Sequence, residues 1–305
     1  MYYTIICLYK LHFKPHFLKI VSQMILFPGV ASQVRTVVYC MGEWPNSGRN
    51  GGSPMIDIHC HILPAFDDGS ASMAESLAMA KMAVSSGVTG IVTTPHFPGE
   101  AASIWRLKTL MERFQLLERT LQREEIPLKL HLGCEILCVP QTPAMAERHA
   151  LPTIGDSDYL LTEFNFGESV GYITQMLEML RYNGYKPVVA HPERYTAVQQ
   201  DPLVCRHWAE KTGCVLQLNK GSLLGAFGSR VQAASHFLIE NGFAHVIASD
   251  AHGAGRRTTH MGQARQWIED HYGPDYAWVL MERNPARILE NRPIVPINYR
   301  RGNAD

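Results

Sequence analysis

The stretch MIDIHCHILPAFDDGS, residues 55–70, decides the fold. It begins with an apolar run typical of a buried strand, and His59 and His61 follow directly. Side chains two residues apart on an extended strand point the same way, so both imidazoles face one side. Along the rest of the chain, further short apolar runs end in His, Asp or Glu. This repeated pattern predicts both the architecture and the kind of site.

Seven short apolar runs alternate with stretches of helical spacing from Met55 onward. We predict strands at residues 55–58, 90–94, 129–134, 159–163, 187–190, 215–218 and 245–249. Helices are predicted from a capping box at residues 72–75, and at residues 105–123, 171–182, 202–212, 230–241, 261–271 and 285–289. Alternating strands and helices imply an α/β fold with a parallel sheet, and seven units in about 250 residues favour a barrel related to the eight-stranded type. A doubly wound sheet is the alternative, but no GxGxxG fingerprint follows the first strand.

Six of the seven predicted strands lead into a His, Asp or Glu side chain at the carboxyl end. Active sites of barrels lie on that face, so residues distant in sequence are expected to converge there. Imidazole together with carboxylate favours Zn²⁺, Mn²⁺ or Fe²⁺, and this many donors fits two or three ions, some bridged by a carboxylate, better than one ion. The candidate ligands are His59, His61, Asp68, His96, Glu135, Glu163, His191, Asp250 and His252.

Single members of this set also have ordinary explanations. Asp250 alone could be a helix cap, and Glu163 could be a salt-bridge partner. Asp67, which precedes Asp68 in an Asp-Asp-Gly turn, could be the ligand instead, or only a turn former. The set as a whole, placed at successive strand ends, indicates a metal centre.

Arginines accompany the candidate ligands. Arg194 follows His191 by three residues, and Arg256 and Arg257 follow His252 in a loop with two glycines. The guanidinium fork suits phosphate, so these cations favour an anionic substrate, with ordinary surface arginine as the alternative. A thiol phosphatase needs a cysteine with an arginine six residues later, and none of the seven cysteines has one. No GxSxG elbow or GxxxxGK[ST] loop is present either.

The composition excludes several classes of protein. The 305 residues include 28 basic and 28 acidic side chains, and this zero net charge argues against a nucleic-acid-binding surface. No apolar run reaches the roughly 18 residues of a transmembrane helix. Seven scattered cysteines without a CxxC pair do not suggest a disulfide framework, so a reducing, cytoplasmic setting is expected.

Residues 1–54 differ from the rest of the chain. They contain no acidic residue before Glu43, and the Gly/Ser/Asn/Pro cluster at residues 43–54 is typical of a linker. We expect a poorly ordered extension or a translated upstream region here, and a functional domain at residues 55–305. A secretory signal around residues 20–31 is the alternative.

Seven stretches resemble the PHP (polymerase and histidinol phosphatase) superfamily, most closely its manganese-dependent protein-tyrosine phosphatases of the CpsB/CapC type from bacterial capsule and exopolysaccharide loci. The stretches are MIDIHCHILPAFDDGS, TTPHF, GCEI, TEF, AHPERY, LNKGSLLGAFG and SDAHGAGRRTTHMG. The resemblance implies a distorted TIM-like (β/α)₇ barrel with two or three Mn²⁺ ions, Fe, Zn or Co being alternatives. It implies that the nine candidates are the ligands and that Arg194 and Arg257 hold phosphate, while Asp68 could assist the leaving group.

The resemblance also implies a partner, namely phosphotyrosine on a bacterial tyrosine autokinase that controls polysaccharide export. The alternatives are a histidinol-phosphate or other small-molecule phosphatase, an amidohydrolase with a carboxylated lysine (Lys220 is the candidate), and a catalytically silent metal-binding module. The physiological metal and the oligomeric state stay open. Two positions depart from the family, which usually has Gly where Ala65 follows Pro64 and often Arg where Leu137 follows the GxEI motif.

Overall fold

The structure is a computed structural model, and it describes residues 54–97 and 104–297. The extension predicted at residues 1–54 lies outside the described residues except for Pro54. The domain predicted from Met55 onward falls almost entirely within them.

The described residues form nine strands, all paired in parallel. One sheet has the order β1-β2-β4 and the other has the order β3-β5-β6-β7-β8-β9. The strands are β1 (Met55–Cys60), β2 (Val88–Thr93), β3 (His96–Phe97), β4 (Lys129–Leu132), β5 (Glu135–Leu137), β6 (Tyr159–Glu163), β7 (Lys186–Ala190), β8 (Val215–Asn219) and β9 (Val246–Ala248). The parallel α/β architecture predicted from the sequence is confirmed.

Two of the nine described strands, β3 and β5, were not predicted, and each follows shortly after a predicted strand of the other sheet. The predicted strand at residues 129–134 ends at Leu132, and the chain resumes as β5 in the other sheet. At Gly133, between the two halves, a Cβ atom would lie 2.8 Å from Val92 Cγ1, so the backbone can pass there only without a side chain. The predicted strand at residues 90–94 corresponds to β2, which ends at Thr93, and β3 begins only after Pro95, which has no N–H for the ladder. The new pairing places His96 opposite Glu135.

The two sheets also meet at the carboxyl end of β1. Cys60 forms an isolated parallel bridge with Ala251, which follows β9. The His61 N–H donates to Ala251 O at 2.9 Å, and the Asp250 N–H donates to His59 O at 2.8 Å. These bonds bring the first and last strand ends together, and candidate ligands are found on both.

Helices connect successive strands and bury their apolar faces against the sheets. Each predicted helix is present, with ends that differ by a few residues at most, and the Ser72 hydroxyl caps the first by accepting from the Glu75 N–H at 3.2 Å. The helices are α1 (Met73–Ser85), α2 (Ile104–Arg123), α3 (Thr142–Glu147), α4 (Val170–Tyr182), α5 (Thr196–Gln200), α6 (Leu203–Thr212), α7 (Lys220–Leu223), α8 (Ser229–Glu240), α9 (Gly262–Tyr272), α10 (Pro274–Trp278) and α11 (Asn284–Leu289), together with a 3₁₀ turn at Pro192–Arg194 and a π-helical turn at Val279–Arg283.

The apolar core has two layers. A smaller cluster joins side chains from most of the strands, among them Ile58, Leu161 and Val215. A larger one packs helices on the strands and includes the fully buried Trp208 of α6. Together they fix the strand ends, and with them the side chains that the strands present at their carboxyl edge.

Candidate metal centre

All nine predicted ligands lie together at the carboxyl ends of the strands. Eight of them form three overlapping groups, and within each group the ligand atoms lie within 4.8 Å of one another. The groups are His61, Asp68, His96 and His252; His59, His61 and Asp250; and His96, Glu135 and Glu163. The ninth, His191, joins through Nε2, which is 3.3 Å from Glu135 Oε1 and 3.4 Å from Glu163 Oε1.

Glu135 lies at the middle of the cluster and is buried. Its Oε1 is 3.3 Å from the Nε2 atoms of both His59 and His191. Its Oε2 is 3.3 Å from His61 Nε2 and 3.1 Å from His96 Nδ1. A carboxylate whose two oxygens face separate pairs of imidazoles is suited to bridge two cations, as the sequence pattern anticipated.

Asp250 faces the cluster with one oxygen only. Its Oδ1 is 3.4 Å from His59 Nε2 and 3.5 Å from His252 Nδ1. Its Oδ2 lies 2.5 Å from Arg257 Nη2 and 3.4 Å from Arg194 Nη1. The Asp250 carboxylate therefore joins the imidazole cluster to the two arginines. A residue that served only as a helix cap would not make these contacts.

The two aspartates of the Asp-Asp-Gly turn have different surroundings. Asp67 Oδ2 accepts from His61 Nδ1 at 2.7 Å and from the His96 N–H at 3.0 Å. Burial alone would raise the pKa of Asp67, but the bond from His61 lowers it to about 2. Asp68 is 67% exposed, and its Oδ1 is 3.4 Å from His96 Nε2 and 3.7 Å from His252 Nε2. Asp68 thus faces the cluster, while Asp67 orients His61.

The cluster is electrostatically suited to cations. Burial alone would lower the pKa of His61 and of His191, yet hydrogen bonds to neighbouring carboxylates raise each to about 10. Burial would raise the pKa of Glu135, but the surrounding histidines hold it well below its usual range. His191 Nδ1 is buried and lacks a hydrogen-bond partner among the residues the structure describes. The donor set therefore fits divalent metal ions that prefer imidazole and carboxylate.

The backbone is strained at two of the candidate ligands. His191, directly after β7, has φ 35°, and Asp250, two residues after β9, has φ 49°. Residues with a Cβ rarely occupy this left-handed region, and such strain persists only where surrounding structure imposes it. At both positions the unusual turn directs the side chain into the cluster, which is consistent with a functional centre.

Strand β8 supplies a supporting layer that the sequence analysis did not assign. Gln217 Oε1 accepts from His59 Nδ1 at 2.8 Å, and Gln217 Nε2 donates to Asn219 Oδ1 at 2.9 Å. Asn219 Nδ2 in turn donates to Asp250 Oδ2 at 2.5 Å. The bond at Nδ1 leaves Nε2 of His59 free to bind a cation. The i, i+2 spacing of Gln217 and Asn219 on one strand was the available signal.

Lys220 does not approach the bridging position that an amidohydrolase would require. Its Nζ donates to His260 O at 2.7 Å and to Thr258 Oγ1 at 3.3 Å. Burial lowers its pKa to about 8. The side chain at the centre of the imidazoles is Glu135, which argues against the carboxylated-lysine alternative.

A third arginine, which the sequence analysis did not single out, borders the cluster beside His96. Arg106, in the first turn of α2, donates from Nη2 to His96 O at 3.3 Å. Its Cζ lies 5.0 Å from the ring centroid of Phe66. Cations therefore lie on two sides of the cluster.

Comparisons with known proteins point to a family of phosphatases. The model of the family described as "Capsular polysaccharide synthesis, CpsB/CapC" matches residues 55–290. The chain is 36% identical over 245 residues to tyrosine-protein phosphatase YwqE of Bacillus subtilis, covering 79% of this chain and 93% of that protein. It is 32% identical over 253 residues to tyrosine-protein phosphatase CpsB of Streptococcus pneumoniae, covering 79% of this chain and all of the relative.

A solved structure is similar as well. It is described as one of the crystal structures of YwqE from Bacillus subtilis and CpsB from Streptococcus pneumoniae, "unique metal-dependent tyrosine phosphatases". It superimposes with a TM-score of 0.71 at 34% identity, over 80% of this chain and all of that one. Among the described residues, no helix has the length and apolar character needed to cross a membrane.

Proposed function

Because the chain belongs to the CpsB/CapC family of capsular polysaccharide synthesis proteins, we propose that it is a metal-dependent phosphatase that hydrolyses phosphotyrosine in proteins. The observation that carries the proposal is the four-imidazole environment of Glu135, joined through Asp250 to two arginines. That arrangement combines a site for cations with a site for a phosphoryl group.

The nine side chains of the cluster would hold two or three divalent ions, with Glu135 as a bridge. Mn²⁺ is the ion implied by the resemblance, and Fe, Zn or Co would suit the same donors. Bound ions supply Lewis acidity towards phosphoryl oxygens and a source of hydroxide near neutral pH. The ligand roles are supported by the distances within the cluster and by its strained backbone.

Arg194 and Arg257 would bind the phosphoryl oxygens. Both contact Asp250 Oδ2, which holds the guanidinium groups at the edge of the cluster. Charge-assisted hydrogen bonds from such fixed donors strengthen as charge grows on phosphoryl oxygens, so they favour the transition state. Asp68, the most exposed of the candidate carboxylates, faces the imidazoles of His96 and His252 and would assist departure of the ester oxygen. A tyrosyl leaving group, with a pKa of about 10, needs little such help.

The substrate and the cellular setting are also part of the proposal. We propose that the substrate is a phosphorylated bacterial tyrosine autokinase that governs polysaccharide export. We also propose that the phosphatase acts in the cytoplasm. The capsular description of the family and the names of the relatives support that setting. We also propose that the two sheets form a distorted TIM-like (β/α)₇ barrel, supported by the Cys60–Ala251 bridge between the outermost strands.

Two other functions use the same fold. A small-molecule phosphatase, such as one for histidinol phosphate, would share the cluster and the arginines. A catalytically silent module would be expected to have lost some of the cluster, whereas all nine side chains are present and lie together. The silent module is therefore the weaker alternative.

The test compares three substrates with the Mn²⁺-loaded protein. Turnover of a phosphotyrosyl peptide should exceed that of histidinol phosphate and of β-glycerophosphate, and His59→Ala should abolish it, because His59 contacts both Glu135 and Asp250. His207→Ala, which changes an exposed histidine of α6, is the matched control and should retain turnover. Faster turnover of histidinol phosphate would favour the small-molecule alternative, and no turnover with Mn²⁺, Zn²⁺, Fe²⁺ or Co²⁺ would favour the silent module.

A further inference from the structure

We propose that the phenyl rings of Phe166 and Phe227 bind the aryl group of the substrate and thereby set a preference for aryl over alkyl phosphate esters. The proposal rests on the phosphatase function proposed above and identifies the part of the site that recognises the leaving group. The two rings and the guanidinium between them, Phe166, Arg194 and Phe227, are termed the aromatic clamp.

The guanidinium of Arg194 lies between the two rings of the aromatic clamp. Its Cζ is 4.4 Å from the ring centroid of Phe166 and 4.7 Å from that of Phe227. Contacts between a planar cation and ring faces are favourable and restrict the plane of the guanidinium. Arg194 Nη1 is also 3.4 Å from Asp250 Oδ2. The aromatic clamp is therefore fixed at the edge of the metal centre.

Phe227 lies beside both arginines that are expected to hold the phosphate. The Cζ of Arg257 is 5.9 Å from the Phe227 ring centroid, in addition to the closer contact of Arg194. The ring packs directly on the backbone of Gly221, where a Cβ atom would lie 2.9 Å from Phe227 Cε2. This packing gives the ring a contact with the backbone in addition to its contacts with the arginines.

Phe166 presents apolar surface to solvent next to a candidate ligand. It is 42% exposed, and its ring meets the ring of His191 edge-on at 5.9 Å. Phe166 O accepts from the Thr196 N–H at 2.7 Å, which ties this loop to α5. A single exposed phenylalanine is ordinary on a protein surface. This one stands out because its ring contacts both an imidazole of the cluster and an arginine of the phosphate site.

The chemistry of the ester connects these rings to the substrate. In an aryl phosphate the ring is attached directly to the ester oxygen, so phosphate held by Arg194 and Arg257 places that ring within a few ångströms of the aromatic clamp. An alkyl ester such as phosphoserine offers no ring to this surface. One aromatic pair contributes roughly a 2- to 10-fold gain in affinity beyond burial. Two rings can therefore produce a measurable preference for aryl esters.

The test uses competitive inhibitors, because leaving-group reactivity then does not enter. The inhibition constants of phenylphosphonate and methylphosphonate are measured on the full-length Mn²⁺-loaded protein, for wild type, Phe166→Leu and Phe227→Leu. We expect each substitution to weaken phenylphosphonate about 5-fold more than methylphosphonate, because both inhibitors share any loss from Arg194 and only the first loses a ring contact. With p-nitrophenyl phosphate, KM should rise while kcat changes little. Tyr182→Leu, at the far end of α4 and 91% exposed, is the control and should change neither constant.

Equal weakening of both phosphonates would overturn the proposal, since it would mean that the rings act only by positioning Arg194. Unchanged constants for both would overturn it as well. A melting temperature within a few degrees of wild type shows that each variant is folded, and Phe→Tyr at the same positions should retain the phenyl preference. If wild type turns over no phosphate ester with any of the metals, it is the phosphatase function that fails, not the aromatic clamp alone.

Discussion

At the scale of single residues, the loop after β1 contains one position with unfavourable backbone geometry. Ala65 has φ 49°, in the left-handed region, and its N–H donates to Ser70 O at 2.8 Å to close the turn that carries Asp67. The family resemblance implies glycine at this position. Ala65 is therefore a strained residue in a turn whose backbone conformation suits glycine better.

Ala65→Gly should stabilise the protein. Relief of the left-handed strain, about 1–2 kcal/mol, exceeds the extra chain entropy of glycine, about 0.5–1 kcal/mol. The net gain of about 0.5–1 kcal/mol should raise the melting temperature by about 1–4 °C in calorimetry. Ala71→Gly, at a nearby exposed alanine without a positive φ, is the control and should not raise it. A lower melting temperature for Ala65→Gly would contradict this explanation.

Gly69→Ala should disrupt the centre without unfolding the protein. A Cβ atom at Gly69 would lie 2.2 Å from His61 O, so the turn that holds Asp67 and Asp68 must move. Because displacement of about 1 Å near a reacting group can reduce rates about 100-fold, we expect kcat/KM for p-nitrophenyl phosphate to fall by about that factor. Gly171→Ala, where a Cβ would meet open space, should retain wild-type turnover. Wild-type kinetics for Gly69→Ala would show that the turn does not position the ligands.

At the scale of elements, β8 orients the centre through its polar side chains. Gln217 and Asn219 link His59 to Asp250 by successive hydrogen bonds, although His59 belongs to β1 and Asp250 follows β9. Partners of this kind fix the ring orientation of a ligand, and their loss typically weakens metal affinity about 10- to 100-fold.

Gln217→Leu should therefore weaken metal binding while keeping the fold. The half-saturating Mn²⁺ concentration should rise about 10-fold or more, and excess Mn²⁺ should restore most of the turnover. His59→Ala should not be restored by excess metal, which separates a supporting residue from a ligand. The two variants are compared by titrating each with Mn²⁺ while phosphatase activity is recorded. An unchanged half-saturating concentration for Gln217→Leu would argue against the orienting role of β8.

The sequence was sufficient for seven of the nine strands that the structure describes. Apolar runs located these seven because burial is a local property of the chain, whereas the short strands β3 and β5 were missed. The break between β4 and β5 depends on the close approach of Val92 to Gly133, a contact between distant segments that no local pattern encodes. The candidate ligands could be chosen in advance because they lie in or shortly after apolar runs. The roles of Gln217 and Arg106 could not, because each depends on a partner from another strand end.

At the scale of the whole molecule, the centre accepts either protons or metal ions. In the metal-free protein, His61 and His191 have pKa values of about 10, so both carry a proton at neutral pH. This raised pKa stabilises the metal-free fold fully below about pH 6.5, and the contribution is lost as the pH rises through about 10. Metal binding needs neutral imidazole and so competes with these protons.

Adding Mn²⁺ to the metal-free protein at pH 7 should therefore release protons, and affinity should increase with pH. Calorimetric titrations in two buffers of different ionisation enthalpy measure the number of protons released. The apparent affinity should be higher at pH 8 than at pH 6, because fewer protons must then be displaced. Binding without proton release, or with the same affinity at both pH values, would contradict the charge states described here.

A chain that starts at Met55 should fold and retain phosphatase activity. The first strand begins at that residue, the family match begins there, and every candidate ligand follows it. The melting temperature and kcat/KM should stay within error of the full chain. Loss of folding or of turnover would show that residues 1–54 belong to the functional unit.

The central claim is that metal ions held around Glu135 are required for hydrolysis of phosphotyrosine. The most direct measurement titrates Mn²⁺ into the metal-free protein while bound metal and turnover of a phosphotyrosyl peptide are recorded together, for wild type and Glu135→Gln. We predict no turnover without metal, full turnover once about two to three equivalents are bound, and neither tight binding nor turnover for the variant. Full turnover by the metal-free protein, or by Glu135→Gln, would contradict the claim.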